Sequence, residues 1–262
     1  MTLQQTILLG FIAGSTIVLG LLAGRLHRLS TATRTFMNAV AIGILLFLTA
    51  EILVSGLEPA EHAVEAHSVV GITRTLLLLG GLGVGILGLV AYDTWSKKRR
   101  AQAGNSDDEF SLMTRMSVLI AIGMGLHNFG EGLAIGSSAH SATSSLTTVL
   151  VIGFALHNAT EGFGIIGPLA STGKKVSWGL LASMALIGGG PTTLGSVVGW
   201  SWNNETVTVA FYALAAGSII YVIAQLYAVA QRQAAGNLLH YGVVSGLSIG
   251  IATELVVKFA QG

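Results

Sequence analysis

The chain has 262 residues, of which 52% are hydrophobic and only 10% are charged. Soluble domains carry about 25% charged residues, so this composition excludes an ordinary soluble globule. The apolar content excludes intrinsic disorder, and the absence of cysteine excludes disulfide scaffolds and thiolate metal sites. A formal net charge of +1 gives no indication of nucleic-acid binding. The composition therefore indicates a membrane protein.

Eight apolar segments are long enough to cross a bilayer as helices, which takes about 20 residues. These segments are residues 3–26, 36–57, 72–92, 112–137, 146–169, 176–199, 207–229 and 241–259. Their apolar runs are continuous and do not alternate, which disfavours a strand barrel. We therefore predict an all-α polytopic membrane protein with eight transmembrane helices.

The basic residues predict the orientation, because Lys and Arg concentrate on the cytoplasmic side of membrane proteins. With the N-terminus outside, 11 of the 13 basic residues lie inside, and only Arg74 and Lys258 lie outside. The eleven are Arg25, Arg28, Arg34, Lys97, Lys98, Arg99, Arg100, Arg115, Lys174, Lys175 and Arg232. We predict a multi-pass protein of the cell (cytoplasmic) membrane with both termini outside.

One hydrophilic linker, at residues 96–111, interrupts a chain that we otherwise predict to be a single transmembrane domain over 1–262. The linker is predicted to be cytoplasmic. It follows spans one to three in residues 1–95, and it precedes spans four and five in 112–170 and spans six to eight in 171–262.

A repeated motif occurs in spans four and five. Residues 122–132 read IGMGLHNFGEG, and residues 152–162 read IGFALHNATEG, with seven of eleven positions identical at an offset of 30. His127 and Glu131 are four residues apart, as are His157 and Glu161, so each pair lies on one face of its helix. Two such faces opposed, with Asn128 and Asn158 beside them, would bring nitrogen and oxygen ligands together for a divalent transition metal.

The cost of charge in a membrane supports this interpretation. A charged side chain at the centre of a span costs about 2.5–3.5 kcal/mol on insertion scales, and two neighbouring carboxylates also repel each other. A bound dication removes both penalties. Interhelical hydrogen bonding and a metal-free proton relay are the alternatives for these residues.

At this motif the sequence resembles the ZIP (zinc-regulated, iron-regulated transporter-like) family of divalent metal transporters. The resemblance implies eight spans with inverted repeats, both termini outside, and a metal site between spans four and five. It assigns His127, Glu131, His157 and Glu161 to that site and places Asn128 and Asn158 where some members bind a second metal. It also implies transport of Zn²⁺, Fe²⁺, Mn²⁺ or similar ions such as Cd²⁺ toward the cytoplasm, by an elevator-like motion of spans one, four, five and six.

The sequence also departs from the family pattern. Gly130 and Thr160 replace the usual proline of each motif, so local unwinding of those helices is not expected. Gly190 precedes Pro191 in span six, where many members have a glutamate that bridges to a second metal. We therefore expect one main metal. The run of three glycines that ends at Gly190, followed by Pro191, indicates a break or hinge in span six.

Two further acids lie within spans. Glu51 in span two is a candidate for the metal pathway, with a structural hydrogen-bonded acid as the alternative. Glu254 in span eight has Lys258 four residues later, which favours a helix ion pair.

The sequence as a whole predicts a transporter for divalent metal, with Zn²⁺ as the favoured substrate, and not an enzyme. An intramembrane metal-dependent hydrolase is the alternative, although no H-E-x-x-H motif is present. We expect no enzyme cofactor. The expected partners are metal ions, the lipid bilayer and, since glycine-lined spans permit it, a second copy in a homodimer.

Overall fold

The computed structural model describes residues 1–22, 30–102, 108–141, 144–202, 204–233 and 237–261. These residues form helices and no strand. The helices are α1 (Leu3–Ser15), α2 (Ile17–Leu21), α3 (Thr31–Glu65), α4 (Val69–Gln102), α5 (Glu109–Ser141), α6 (Ser144–Ser171), α7 (Trp178–Ser201), α8 (Glu205–Gln233) and α9 (Leu238–Gln261).

The helices match the predicted spans in number and order. Helices α1 and α2 together form span one, which is interrupted at Thr16, and each later helix corresponds to one span. Within the described part of the chain, seven spans are long and apolar enough to cross a membrane. Helix α6, which contains span five, is 28 residues long and is not among those seven. The all-helical, polytopic architecture is therefore confirmed.

Several helices extend beyond the apolar segments that predicted them. Helix α3 begins after Ser30, whose hydroxyl accepts a hydrogen bond from the Thr33 amide at 3.1 Å, and it continues to Glu65. Helix α4 continues into the predicted linker as far as Gln102. Arg25 and Arg28, used above to predict the orientation, lie outside the described residues, as does the middle of the linker at 103–107.

The distribution of side chains is that of a protein in lipid. Large apolar residues such as Leu79, Leu87 and Leu186 are exposed on the outside of the bundle. The buried core, by contrast, contains histidine, glutamate and asparagine side chains together with aliphatic ones. Outward apolar faces of this kind suit a lipid environment, and polar groups buried among membrane-spanning helices are candidates for functional positions.

Close backbone contacts at glycines divide the helices into two groups. In the first group, α1, α2, α5, α6 and α7, a Cβ at Gly132 would collide with the Thr192 carbonyl, and one at Gly162 with the Ile17 carbonyl. We call this group the five-helix bundle. In the second, α3, α4, α8 and α9, a Cβ at Gly217 would collide with the Leu82 carbonyl. We call it the four-helix bundle. Small residues let helix backbones approach this closely.

Contacts between the two bundles are of a different kind. Gly164 on α6 faces only the Leu45 side chain, with its closest atom 3.9 Å from a built Cβ, and Gly167 faces the Ala41 methyl group. Across this boundary α5 packs on α8, and α6 packs on α3 and α9. The backbones are therefore in closest contact within each bundle, whereas side chains mediate these contacts between them.

Charged side chains lie at two opposite ends of the helices. At one end Arg115 of α5 pairs with Asp93 of α4 at 2.9 Å, and Lys174 pairs with Asp108 at 3.2 Å. Hydrogen bonds from Ser111, together with Lys174, hold the pKa of the exposed Asp108 carboxyl below its usual range. At the other end Arg74 pairs with Glu205 at 2.7 Å. Arg115 and Lys174 therefore lie opposite Arg74, as the predicted orientation requires.

Candidate metal centre

Helices α5 and α6 place the repeated motifs against each other. Both helices are continuous through the motifs, so His127 and Glu131 stand one turn apart on α5, as do His157 and Glu161 on α6. One ligand atom from each of these four side chains lies within 4.8 Å of those of the other three. All four residues are at most 6% exposed. The structure thus brings together the four residues that the sequence selected.

Glu161 is at the centre of this cluster. Its Oε1 atom lies 3.5 Å from Nε2 of His127 and 3.6 Å from Nε2 of His157. Nε2 of His127 is also 3.6 Å from Oε1 of Glu131. These distances exceed hydrogen-bond length, so the four groups face one another without bonding directly.

The spacing suits a bound metal ion. Zn–N and Zn–O bonds are about 2.0–2.2 Å long, so two ligands on a tetrahedron around zinc lie about 3.3–3.6 Å apart. The separations of 3.5 and 3.6 Å between Nε2 and Oε1 atoms are close to this value. In addition, both oxygens of Glu161 and the Nε2 atoms of both histidines are buried and make no hydrogen bond. Buried polar atoms of this kind call for a partner, and a dication would satisfy them together.

The two asparagines attach the cluster to neighbouring helices. Nδ2 of Asn128 donates to the Gly188 carbonyl on α7 at 3.0 Å. Nδ2 of Asn158 donates to the Ala13 carbonyl at 3.1 Å and to Oε2 of Glu131 at 3.3 Å. Both Oδ1 atoms are buried and make no hydrogen bond. Asn158 therefore orients Glu131, and both amide oxygens remain available as ligands.

Two residues occupy the positions where proline was expected from the family pattern. The Thr160 hydroxyl donates to the His157 carbonyl at 2.7 Å, within an unbroken helix. Gly130 leaves room for the ring of Tyr212 on α8, which a Cβ at that position would strike. The absence of unwinding agrees with the loss of both prolines.

Glu51 reaches the cluster from the other bundle. Its Oε2 atom lies 3.8 Å from Nε2 of His157, and its side chain is 30% exposed. Glu51 on α3 thus lies close to the buried ligands of the five-helix bundle, although its own side chain is partly exposed.

Helix α7 runs without interruption through Gly190 and Pro191, so the structure has no break there. Pro191 has no amide hydrogen for the Ile187 carbonyl one turn earlier. Gly125 of α5 packs against that carbonyl and against Cγ of Pro191. Of the glycines before Pro191, Gly189 packs closely against Gly14 of α1, whereas a Cβ at Gly190 would meet only the Leu186 side chain of its own helix.

Sequence reasoning did not find a small cavity next to the cluster. Its volume is ≈ 240 Å³, and Ser55, Ser137, Thr208 and Tyr212 are among its lining residues. Tyr212 lines the cavity, and its ring also packs against Gly130, which is next to Glu131 in the chain. No motif marks these residues, because they come from α3, α5 and α8 and meet only in the folded protein.

Comparison with known proteins agrees with the geometry. The model of the ZIP Zinc transporter family matches residues 93–225, which include both motifs. The zinc transporter ZupT of Salmonella heidelberg is 30% identical over 266 residues, covering 93% of this chain and 93% of that protein. The zinc transporter ZupT of Escherichia fergusonii is 30% identical over 269 residues, covering 98% of each. The chain is therefore a member of the ZIP family of zinc transporters.

Proposed function

We propose that this protein carries divalent transition-metal cations across the cell membrane toward the cytoplasm, with Zn²⁺ as its main substrate and Fe²⁺, Mn²⁺ and Cd²⁺ as others. One observation carries the proposal. Four buried ligands, His127, Glu131, His157 and Glu161, converge within 4.8 Å of one another inside a membrane-spanning bundle, and three of their separations, 3.5–3.6 Å, are close to those of a tetrahedral zinc site. Membership of a transporter family favours transport over the intramembrane hydrolase.

The donor set suits a transported ion as well as a bound one. Imidazole and carboxylate ligands accept several first-row divalent metals, and neither group binds zinc as firmly as thiolates do in closed structural sites. Asn128 and Asn158 support the site, and either amide oxygen can add a ligand. Because Gly190 replaces the bridging acid of many family members, one metal is expected to dominate in this cluster.

The direction of transport rests on charge. Most Lys and Arg residues fall on one predicted side, and those of them that the structure describes in ion pairs, Lys97, Arg115 and Lys174, lie at one end of the helices. We assign this end to the cytoplasm, which puts both termini outside. The cavity beside Glu131 lies at the Arg74 end, and we assign it to the external approach.

The mode of motion rests on the two bundles. Close backbone packing holds each bundle together, whereas side chains dominate the boundary, so the five-helix bundle can slide as a unit against the four-helix bundle. The metal cluster belongs to the sliding bundle, and Glu51 lines the pathway on the fixed one. Gly190 and Pro191 are proposed as a hinge, since Pro191 removes one hydrogen bond of α7 next to Gly125.

The test is metal uptake into vesicles that contain only the purified protein. Vesicles with the wild-type chain should accumulate Zn²⁺ or Cd²⁺ down an inward gradient, and His127→Ala should abolish this uptake. His140→Ala is the matched control, because His140 lies at the exposed end of the same helix. Equal uptake by the His127→Ala variant and the wild type would refute the proposed site.

A further inference from the structure

Glu254 on α9 is the acid within the spans that the proposed transport site leaves unused. Its side chain is 21% exposed and forms an ion pair with Lys258 one turn later at 3.1 Å, as the sequence predicted. Its carboxyl group also lies beside that of Glu51 on α3. Two carboxyl groups from different helices therefore meet beside the metal centre, which the sequence did not predict.

The packing of α3 on α9 independently places Glu51 next to Glu254. Gly242 packs on Ala39, Gly246 packs on Gly43, and Gly250 packs on the Phe47 ring. Each successive pair lies four residues further along both helices, so the two helices run in the same direction with one register. The next pair in this series is Glu51 and Glu254.

The pair is continuous with the metal centre. Oε2 of Glu51 lies 3.8 Å from Nε2 of His157, and both atoms are buried and make no hydrogen bond. The His157 side chain is 6% exposed. This buried imidazole nitrogen therefore faces the Glu51 carboxylate as well as Glu161 of the transport site.

We propose that Glu51 and Glu254 form a second cation-binding site, which takes the same divalent metals and shares His157 with the transport site. This inference rests on the proposed function. Carboxylate oxygens with one imidazole nitrogen are acceptable ligands for Zn²⁺, Mn²⁺ and Fe²⁺. Both acids belong to the four-helix bundle, so the two carboxylates stay fixed while the transport site, with His157, moves. It receives a cation first and passes it to the moving bundle through His157.

Lys258 has a defined role in this arrangement. Its ammonium group already occupies one side of Glu254, and its own side chain is 68% exposed. A metal ion must therefore displace the ammonium group from Glu254, so Lys258 lowers the affinity of the second site. A merely structural ion pair would have no such effect on metal.

The experiment compares the KM of Zn²⁺ uptake in vesicles for the full-length wild type and two single variants. Glu254→Gln should raise KM by about tenfold, the effect typical of losing one supporting group at a metal site, with little change in maximal rate. Lys258→Gln should lower KM, because it removes the competing ammonium group. A higher KM for Glu254→Gln together with a lower KM for Lys258→Gln supports the second site. KM shifts in the same direction, or no shift in KM, overturn it.

Conservative variants provide the controls. Glu254→Asp keeps a carboxylate, and Lys258→Arg keeps a cation, so both should retain a KM near that of the wild type. If Glu254→Gln does not fold, Lys258→Gln decides alone: a lower KM supports the site, and an unchanged or higher KM overturns it. Failure of the proposed function looks different, since wild-type vesicles would then take up no more Zn²⁺ than vesicles without protein, whatever residue stands at position 254.

Discussion

Replacing Glu161 by glutamine is the most informative single change to the metal centre. Glutamine keeps the size and helical position of the side chain and removes only its charge. Oε1 of Glu161 is the atom that faces both histidines, at 3.5 and 3.6 Å, and the residue is fully buried. The change therefore alters the ligand that faces both histidines of the cluster.

The expected magnitude follows from this position. Loss of a supporting group at a metal site weakens metal affinity by about 10–100-fold, and loss of a direct ligand costs at least as much. At a zinc concentration 100 times the wild-type Kd, bound metal stabilises the protein by about 2.7 kcal/mol, and a tenfold weaker site reduces this to about 1.4 kcal/mol. Without metal the variant should be about as stable as the wild type, because a buried carboxyl group without its cation neutralises and then resembles the amide that replaces it.

Unfolding of the purified protein in detergent, with and without zinc, measures both effects. Glu161→Gln should leave the midpoint of the metal-free protein nearly unchanged and shrink the zinc-dependent shift. Glu205→Gln, which changes a 66% exposed acid, should leave the zinc-dependent shift unchanged. A full zinc-dependent shift in the Glu161→Gln protein would refute the assignment of Glu161 as a ligand.

Three further predictions concern packing, support of the site and orientation. Gly132→Ala should destabilise the protein by about 1–3 kcal/mol, because its methyl group meets a backbone carbonyl, whereas Gly164→Ala should be tolerated in the same unfolding assay. Asn158→Ala should cost about 1–3 kcal/mol in that assay and weaken zinc binding, since it removes hydrogen bonds to Ala13 and Glu131, and unchanged values for both would contradict its supporting role. Since the chain has no cysteine, single variants report topology directly. In intact cells an impermeant thiol reagent should label Ala66→Cys and spare Gln102→Cys, and the reverse pattern would invert the proposed orientation.

The sequence predicted the parts of this protein that depend on local spacing. A His and a Glu four residues apart share a helix face wherever the helix lies, so the repeated motif identified His127, Glu131, His157 and Glu161 as candidates for one cluster. The high cost of charge in a membrane singled out Glu51 by the same reasoning. The pairing of Glu254 with Lys258 was likewise visible, because both residues lie on one helix.

What the sequence did not predict depends on the packing of different helices. The contact of Glu254 with Glu51 follows from the register of α9 on α3, which glycine contacts such as Gly246 on Gly43 determine. The sequence does not show how the glycines divide between the two bundles, because the partner of each glycine is on another helix. Pro191 misled the prediction of a break, because proline in a membrane helix is tolerated when neighbouring helices support the backbone.

The junction between α1 and α2 at Thr16 is connected to the metal centre by hydrogen bonds. The Thr16 hydroxyl lies within hydrogen-bond distance of the Ala13 and Ala155 carbonyls, at 2.7 and 2.6 Å, where α1 ends and α2 begins. The Ala13 carbonyl also accepts from Asn158, which in turn holds Glu131. We therefore expect a change in ligand geometry at Glu131 to reach this helix junction through two hydrogen bonds. Hydrogen exchange of the backbone amides around Thr16 should then differ with and without zinc, although none of these amides belongs to the ligand set.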